Sequence, residues 1–511
     1  MPAKLVGKAA PAPPRPTQIT RVPLSTLVSR VGAELTGVAD AVAVTGVTLR
    51  AQHVLPGDLF AALSGARAHG ADFADQAISG GAVAVLTDPA GARRLRDATI
   101  PVLVHDDPRT VLGELAALVY GEPSLRLKVI GVTGTSGKTT TTHMIESGLR
   151  AAGHATGMVG TVETRIAGER LDSAFTTPEA PDLQALLAVM LERGVSHVPM
   201  EVSSHALALG RVGGIRFAVG AFTNLSQDHL DFHADLEDYF QAKALLFDGR
   251  SAVEIVCVDS DWGKRLVGDG TVTVSGEGAG DWTASALTTS VTGEQAFVMH
   301  GPDGLVLPTT VPMPGSFNVT NALVAAACLT AVGVAPEAIA TGLSTVTVPG
   351  RMERVALGQD FTAVVDYSHK PAAVALALDA MRARAAGRLI VVLGCGGDRD
   401  AAKRPMMGEA AARRSDVLIV TDDNPRSEDP AAIRAEMLAG ARAVPPGQRG
   451  AVLDIGDRRA AIAEAVDRAG AGDVVIIAGK GHETGQEVAG VVHPFDDRAE
   501  LRAAISGRLA R

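Results

Sequence analysis

The run GVTGTSGKTTTT, Gly131–Thr142, lies directly after the apolar stretch LKVIGV and leads into a helix-like stretch, Thr139–Ala152, closed by Gly153. A glycine-rich turn in this setting needs a buried strand before it and a helix after it. Glycines 131, 134 and 137 let the backbone bend until its N–H groups face an anion. The following helix adds its positive N-terminal dipole. Lys138 reaches toward the β- and γ-phosphates of a nucleotide, and Thr139 holds phosphate or magnesium. Gly134, Thr135, Gly137 and Thr140 complete the cradle. The strict phosphate-loop pattern fails by one position, because Val132 stands where glycine is required and Gly131 comes one step early. The loop is therefore a variant. It implies nucleotide binding without fixing a reaction.

Strand–helix alternation continues along the chain. From Val22 to about Tyr120, the strands Ala41–Leu49, Ala82–Leu86 and Val102–Val104 alternate with helical stretches, as in a small α/β domain. GEPSLRL, Gly121–Leu127, reads as a linker. HVPMEVSS, FAVGAFTNL and VEIVCVDS continue the pattern toward residue 348, which implies a mostly parallel sheet with helices on both faces. Residues 282–312 read instead as β-rich, with turns at Thr292–Gly293 and Asp303–Gly304. Beyond Pro349–Gly350, the strands FTAVVDY, LIVVLG, VLIVTDD and DVVIIAG alternate with alanine-rich helices in a doubly wound pattern. The expected fold is α/β in three domains. These are a small N-terminal domain (21–125), a central phosphate-loop domain with a parallel sheet (126–348) and a Rossmann-like C-terminal domain (349–511). Residues 1–20, rich in Pro and Ala, read as a disordered tail.

The length of 511 residues agrees with three domains. A net charge of −10 disfavours a generic nucleic-acid binder, although an acidic surface still accommodates a basic phosphate pocket. Cys257, Cys328 and Cys395 lack disulfide or zinc-site spacing and read as reduced, buried thiols of a cytoplasmic protein. No apolar run approaches the ~20 residues of a membrane span. The first residues carry no apolar segment of the signal-peptide kind.

The segments GVTGTSGKTTT, FTTPEAPDL, MEVSSHAL, FTNLSQDHLDFH, YFQAKALLF, PGSFNVTNAL, PGRMERV, DYSHKP, GCGGDRD, DDNPR and AGKGHE follow one another in this order. Together they closely resemble the Mur ligase family over about Val47–Arg498. The resemblance implies that ATP phosphorylates the D-glutamate carboxylate of UDP-MurNAc-L-Ala-D-Glu. The amine of an incoming amino acid then displaces phosphate from the acyl phosphate.

It also implies a site, residue by residue. Lys138, Glu201, His229 and Lys243 would be catalytic. Thr139, Glu201, His229 and Lys243 would lie at the metals, with Asn224 and Asp228 beside them. Lys243 would be carbamylated, turning a cation into a carboxylate-like ligand for magnesium. ATP would also meet Asn318, Asn321, Arg351, Asp366 and His369. Asn318 also reads as a plain helix cap, Arg351 as a solvated arginine and Lys243 as a helix lysine in an ion pair.

Within the family, DNPR (Asp423, Asn424, Pro425, Arg426) marks enzymes that add diaminopimelate. Arginine reads the extra planar carboxylate of that ligand with two parallel hydrogen bonds. Arg399, Gly479 and Glu483 would hold its other groups. The UDP-dipeptide would meet Leu49, the Ala66–Arg67 loop, Thr176, Thr177, Ser203, Arg211 and Lys243. The chain departs from its relatives at Arg50-Ala51-Gln52, where Asp-Ser-Arg is frequent, at Leu209 and at Ser136. The competing readings are a sister ligase, a folylpolyglutamate synthase, a phosphate-loop NTPase or kinase without ligase activity, and a non-catalytic paralogue.

Overall fold

A computed structural model describes residues 13–38, 41–65, 67–171, 176–290 and 293–511. Ala66, Phe175, Thr292 and the first twelve residues of the expected tail lie outside the described residues. The chain forms two compact units. The first holds Met1–Thr133, Gly153–Ala221 and Ala242–Glu254, and the second holds Gly134–Ala152, Phe222–Gln241 and Ile255–Arg511.

The first unit contains a five-stranded sheet in the order Glu34–Thr36, Val102–Val104, Ala84–Thr87, Asp58–Ala62, Gly46–Thr48. All its pairs are parallel except the one at the Glu34–Thr36 edge. Successive residues of a strand face opposite ways. Accordingly Leu59, Ala61 and Leu86 pack with Leu27, Leu112 and Leu115, whereas Phe60, Ala62 and Val85 pack with Ala71 and Ala77. The run Ala41–Leu49, expected as one strand, is two. Ala43–Val44 pairs antiparallel with Val22–Pro23, and Gly46–Thr48 pairs parallel with Asp58–Phe60. The break falls at Thr45, whose N–H donates to Gly57 O.

The end of the expected tail is held in place. Arg15 forks onto both carboxylate oxygens of Asp58 (3.0 and 3.1 Å) and donates to the Tyr120 hydroxyl (2.6 Å), while the Thr17 and Gln18 amides donate to Glu192. The segment read as a linker is also packed, with Pro123, Ser124 and Leu127 buried.

Most of a second sheet lies in the first unit, in the order Glu169–Leu171, Thr164–Ile166, Gly157–Val159, His197–Glu201, Lys128–Thr133. His197–Glu201 pairs parallel with both of its neighbours. The chain leaves Lys128–Thr133 into the phosphate loop, which belongs to the second unit.

In the second unit the helix Lys138–Ala151 packs on the helices Ser316–Ala331 and Pro336–Thr345. Close approach requires glycine, since a Cβ on Gly148 would strike Leu329 and one on Gly342 would strike Gly148. The β-rich stretch is a three-stranded antiparallel sheet, Thr283–Thr289, Gln295–His300, Val306–Val311, with its second turn at Pro302–Gly304.

The last sheet runs Glu353–Arg354, Thr362–Asp366, Val474–Ala478, Leu389–Leu393, Val417–Val420, Ala451–Asp454, and only its first pair is antiparallel. Helices cover both faces. Val391, Leu393 and Ile476 pack with Met381, Met407 and Met437, and Ile390, Val392 and Ile477 pack with Ile462, Val466 and Leu501. This is the doubly wound arrangement, in which ligands bind beyond the carboxyl ends of the strands.

A buried ion pair supports those ends. Arg458 and Asp497 have no exposed side-chain surface. The guanidinium meets both carboxylate oxygens at 2.7 Å and donates to Ala478 O at 3.0 Å. Removing one partner strands a buried charge. Asp497→Ala is expected to destabilise the protein by about 3–5 kcal/mol, read from denaturant midpoints. A loss under about 1 kcal/mol would mean that water reaches the arginine.

Candidate functional site

The phosphate loop is built by local necessity. Gly134 (φ +143°) and Gly137 (φ +89°) take backbone conformations closed to other residues, and a Cβ at either would collide with Thr223 or Asn321. Asn224 braces the turn. Its carbonyl accepts from Thr135 N (2.8 Å), its side-chain oxygen accepts from Ser136 N (3.0 Å), and its Nδ2 donates to Ser136 O (3.1 Å). The Thr135 hydroxyl bonds Ser226 and the Tyr239 hydroxyl. Lys138 curls over the loop and donates to Gly134 O (2.8 Å) and Thr135 O (3.1 Å).

Further cations gather on the same residues. Arg351 donates to the Thr139 hydroxyl (3.3 Å) and lies over the Tyr367 ring, 4.0 Å from its centroid. Lys370 pairs with Asp228 at 2.6 Å and donates to Thr135 O at 3.3 Å. His229 (φ +55°) meets the same carboxylate at 3.0 Å. Burial opposes ionisation of Asp228, but Lys370 and His229 overcome it and hold the carboxyl below its ordinary range. Asp366 accepts from Met352 N and Ser368 N, both at 2.8 Å, and so ties the start of the C-terminal region to a strand end. Asn318 is third in its helix and donates to Pro314 O (2.8 Å), with Asn321 stacked upon it by a 3.2 Å hydrogen bond.

His369 Nδ1 donates to Tyr367 O (2.7 Å). Burial, with Lys370 and Lys403 adding repulsion, pushes its pKa down to about 3. The unfolded chain takes up this proton near pH 6.5. Between pH 6.5 and 3 the unfolded state therefore binds more protons, and folding stability drains as pH falls. Urea midpoints are expected to decline across that window in the wild type and to decline less in His369→Gln. Equal slopes would refute the assignment.

A second constellation stands at the ends of the last sheet. Lys480, fully buried, donates to Asn424 Oδ1 (3.0 Å) and Glu483 Oε2 (3.2 Å) and lies 3.9 Å from Asp423. Asn424 Nδ2 donates to Glu483 (2.8 Å). Arg426 donates to Gly397 O (2.6 Å) and lies 3.4 Å from Glu487. Gly479 (φ +114°) presses on Asp423, leaving no room for a Cβ. Arg399 is exposed and, among the described residues, makes no hydrogen bond, unlike Arg426.

In the first unit, both oxygens of buried Glu201 accept from Thr161, its amide at 2.8 Å and its hydroxyl at 3.0 Å. The Thr161 hydroxyl also meets Thr176 (3.0 Å), and buried Thr177 donates to Glu201 O (2.9 Å). Ser203 caps a short helix through Ala206 N. Arg211 pairs with Glu179 (2.9 Å) and donates to Thr177 O. Leu49 packs, half-buried, against the N-terminal core. Lys243, on the helix Leu236–Ala244, is 1% exposed.

Lys480, Lys370 and Thr161 were not singled out from the sequence. Lys480 stands inside the quoted GKGHE motif, and its neighbours Gly479 and Glu483 were signal enough. Thr161 carried no such signal. Among the described residues, no group of three or more His, Cys, Asp or Glu side chains is arranged to hold a metal.

Three Mur ligase domains match in succession: the Mur ligase family catalytic domain over residues 43–120, the middle domain over 132–329 and the glutamate ligase domain over 350–481. The chain is 54% identical over 503 residues to a UDP-N-acetylmuramoyl-L-alanyl-D-glutamate--2,6-diaminopimelate ligase of Streptomyces coelicolor, covering 97% of this chain and 98% of that one. It is 53% identical over 469 residues to the protein of the same name from Corynebacterium glutamicum, covering 88% and 89%. A solved structure of a ligase of this name superposes with a TM-score of 0.68 at 30% identity, over 94% of this chain and 99% of that one. With its phosphate loop, its doubly wound last sheet and these matches along nearly its whole length, the chain belongs to the Mur ligase family.

Proposed function

We propose that the chain is an ATP-dependent ligase that joins diaminopimelate to UDP-MurNAc-L-Ala-D-Glu, within the domain limits 21–125, 126–348 and 349–511. The reading is carried by the groups gathered at one set of strand ends, where Asn424, Lys480 and Glu483 form one hydrogen-bonded cluster and Arg426 stands two residues beyond Asn424. Such groups suit a ligand that bears both ammonium and carboxylate. The relatives named above support the same assignment.

The first step brings a carboxylate against a triphosphate, so the site must offset negative charge. Lys138 supplies a cation at the loop and Arg351 a second, and the start of the helix Lys138–Ala151 adds its positive dipole. Asp366 and His369 are assigned to the nucleoside. Magnesium binds through one or two protein oxygens together with phosphates rather than in an all-protein cage. The Thr139 hydroxyl is an oxygen donor of the kind magnesium takes, and the Glu201 carboxylate is likewise assigned to the metal; magnesium would neutralise charge on the transferring phosphoryl group. His229 and a carbamate on buried Lys243 are our further metal-side assignments. In the second step the free amine of the amino acid attacks the acyl phosphate. Glu483 and Lys480 orient it, Arg426 reads the far carboxylate, and Arg399 is assigned to the other carboxylate. Thr176, Thr177, Ser203, Arg211 and Leu49 are assigned to the UDP-dipeptide. The three buried, free thiols suit a cytoplasmic enzyme.

The test is phosphate release from ATP with magnesium and UDP-MurNAc-L-Ala-D-Glu, adding diaminopimelate or L-lysine. Release that requires diaminopimelate, with a tripeptide product of matching mass, is expected. Release with lysine alone would keep the ligase and remove the role of Arg426. Release that needs neither amino acid would favour an NTPase.

A further inference from the structure

We propose that Lys370 is a third phosphate-binding cation of the nucleotide site, contacting the terminal phosphates of ATP alongside Lys138 and Arg351. The inference rests on the ATP-dependent reading given above and adds a residue to it.

Three observations carry it. Lys370 and Lys138 donate to the same acceptor, the carbonyl of Thr135, at 3.3 and 3.1 Å. Two ammonium groups on one loop carbonyl repel each other, and such an arrangement suits a place where anionic charge is bound. Arg351 reaches the next part of the same loop through Thr139, so cations from the C-terminal region converge on residues 135–139. Second, the Lys370 ammonium is partly prepaid. Its side chain is only 12% exposed, and Asp228 at 2.6 Å offsets the cost of burying the charge. Burial, with repulsion from Lys403 and Arg351, still depresses its pKa, so further negative charge stabilises it. Third, an ammonium carries three donors. Asp228 and Thr135 use two, which leaves one for a phosphate oxygen.

The position is fixed by its element. Lys370 is the N-cap residue of the helix Pro371–Arg382, in extended backbone (φ −129°, ψ 146°). It directly follows His369, whose carbonyl accepts from Lys403 at 3.1 Å. The side chain therefore leaves the helix start toward the loop rather than lying along the helix.

A role confined to the Asp228 ion pair makes a different prediction from a role on phosphate. Calorimetric titrations of the full chain with AMP, ADP and ATP separate them. For Lys370→Met, ATP affinity is expected to fall about 10- to 100-fold, the range of one charge-assisted hydrogen bond. ADP should fall less, AMP should change under about twofold, and Lys370→Arg should recover most of the loss. Parallel weakening of AMP and ATP would overturn the proposal and leave Lys370 as a structural partner of Asp228. Unchanged ATP affinity would overturn it as well. If Lys370→Met does not fold, Lys370→Gln carries the same comparison. A wild-type chain that binds none of the three nucleotides would instead sink the ATP-dependent reading itself.

Discussion

Lys138→Met is expected to lower kcat for phosphate release at least about a thousandfold while costing only about 2 kcal/mol of stability. Methionine keeps the length and apolar stem of lysine, so packing at the helix start survives. The hydrogen bonds to Gly134 O and Thr135 O contribute about 1 kcal/mol each. The ammonium does more when a phosphoryl group passes between two anions, because its charge then faces charge that develops in a preorganised site. An arginine brought up to the transition-state charge is worth about 10³–10⁵ in rate in other phosphoryl-transfer enzymes, which sets the scale for a cation facing that charge. The change should appear in kcat beyond any rise in KM for ATP. A kcat within about tenfold of wild type would show that Arg351 and Lys370 carry the loop without Lys138.

The sequence made most of the frame legible because the frame is periodic. Four continuous apolar runs in the C-terminal region could only be strands buried on both faces, and Thr362–Asp366, Leu389–Leu393, Val417–Val420 and Val474–Ala478 are such strands. Glycine spacing foretold the loop, and Gly134 and Gly137 sit where only glycine fits. What stayed hidden depends on partners distant in the chain. The break at Thr45 arises because two neighbouring dipeptides find different sheets, and no local pattern encodes that. Arg15 looked like part of a featureless tail, since its acceptor Asp58 lies 43 residues away. Asn224 was expected beside the metals, and its bonds to Thr135 and Ser136, which no motif foretold, also make it a brace of the loop. Glu201 was expected at a metal, and both its oxygens engage Thr161, a residue that no motif marks. Side-chain type announces chemistry, but only the fold decides which partners a side chain already has.

Replacing Arg426 should separate selectivity from stability. Arg426 holds a left-handed backbone, φ +52°, a conformation that costs a non-glycine residue about 1 kcal/mol or more. The strain is sustained by its neighbours, since Arg426 N donates to Glu487 O (3.0 Å) and Ala489 N donates to Arg426 O (2.6 Å). The guanidinium is aimed as well, by Gly397 O and Glu487. A strained backbone and an aimed arginine suit a carboxylate-reading group rather than a simple turn. Arg426→Gly relieves the strain, so it should stabilise the chain or leave it unchanged. The same variant should lower kcat/KM for diaminopimelate by about 10³- to 10⁴-fold, because a ligand carboxylate would then be buried without its partner. L-lysine lacks that carboxylate, so its poor use should change little and the preference between the two should narrow or vanish. Arg426→Lys should recover little, since an ammonium does not reproduce the two parallel donors of the fork. Arg399→Ala should cost under about tenfold, given its exposed position. If Arg426→Gly slowed both amino acids equally, the residue would serve the shape of the DNPR turn. Loss confined to diaminopimelate in a protein at least as stable as wild type would mean the backbone strain is maintained for recognition.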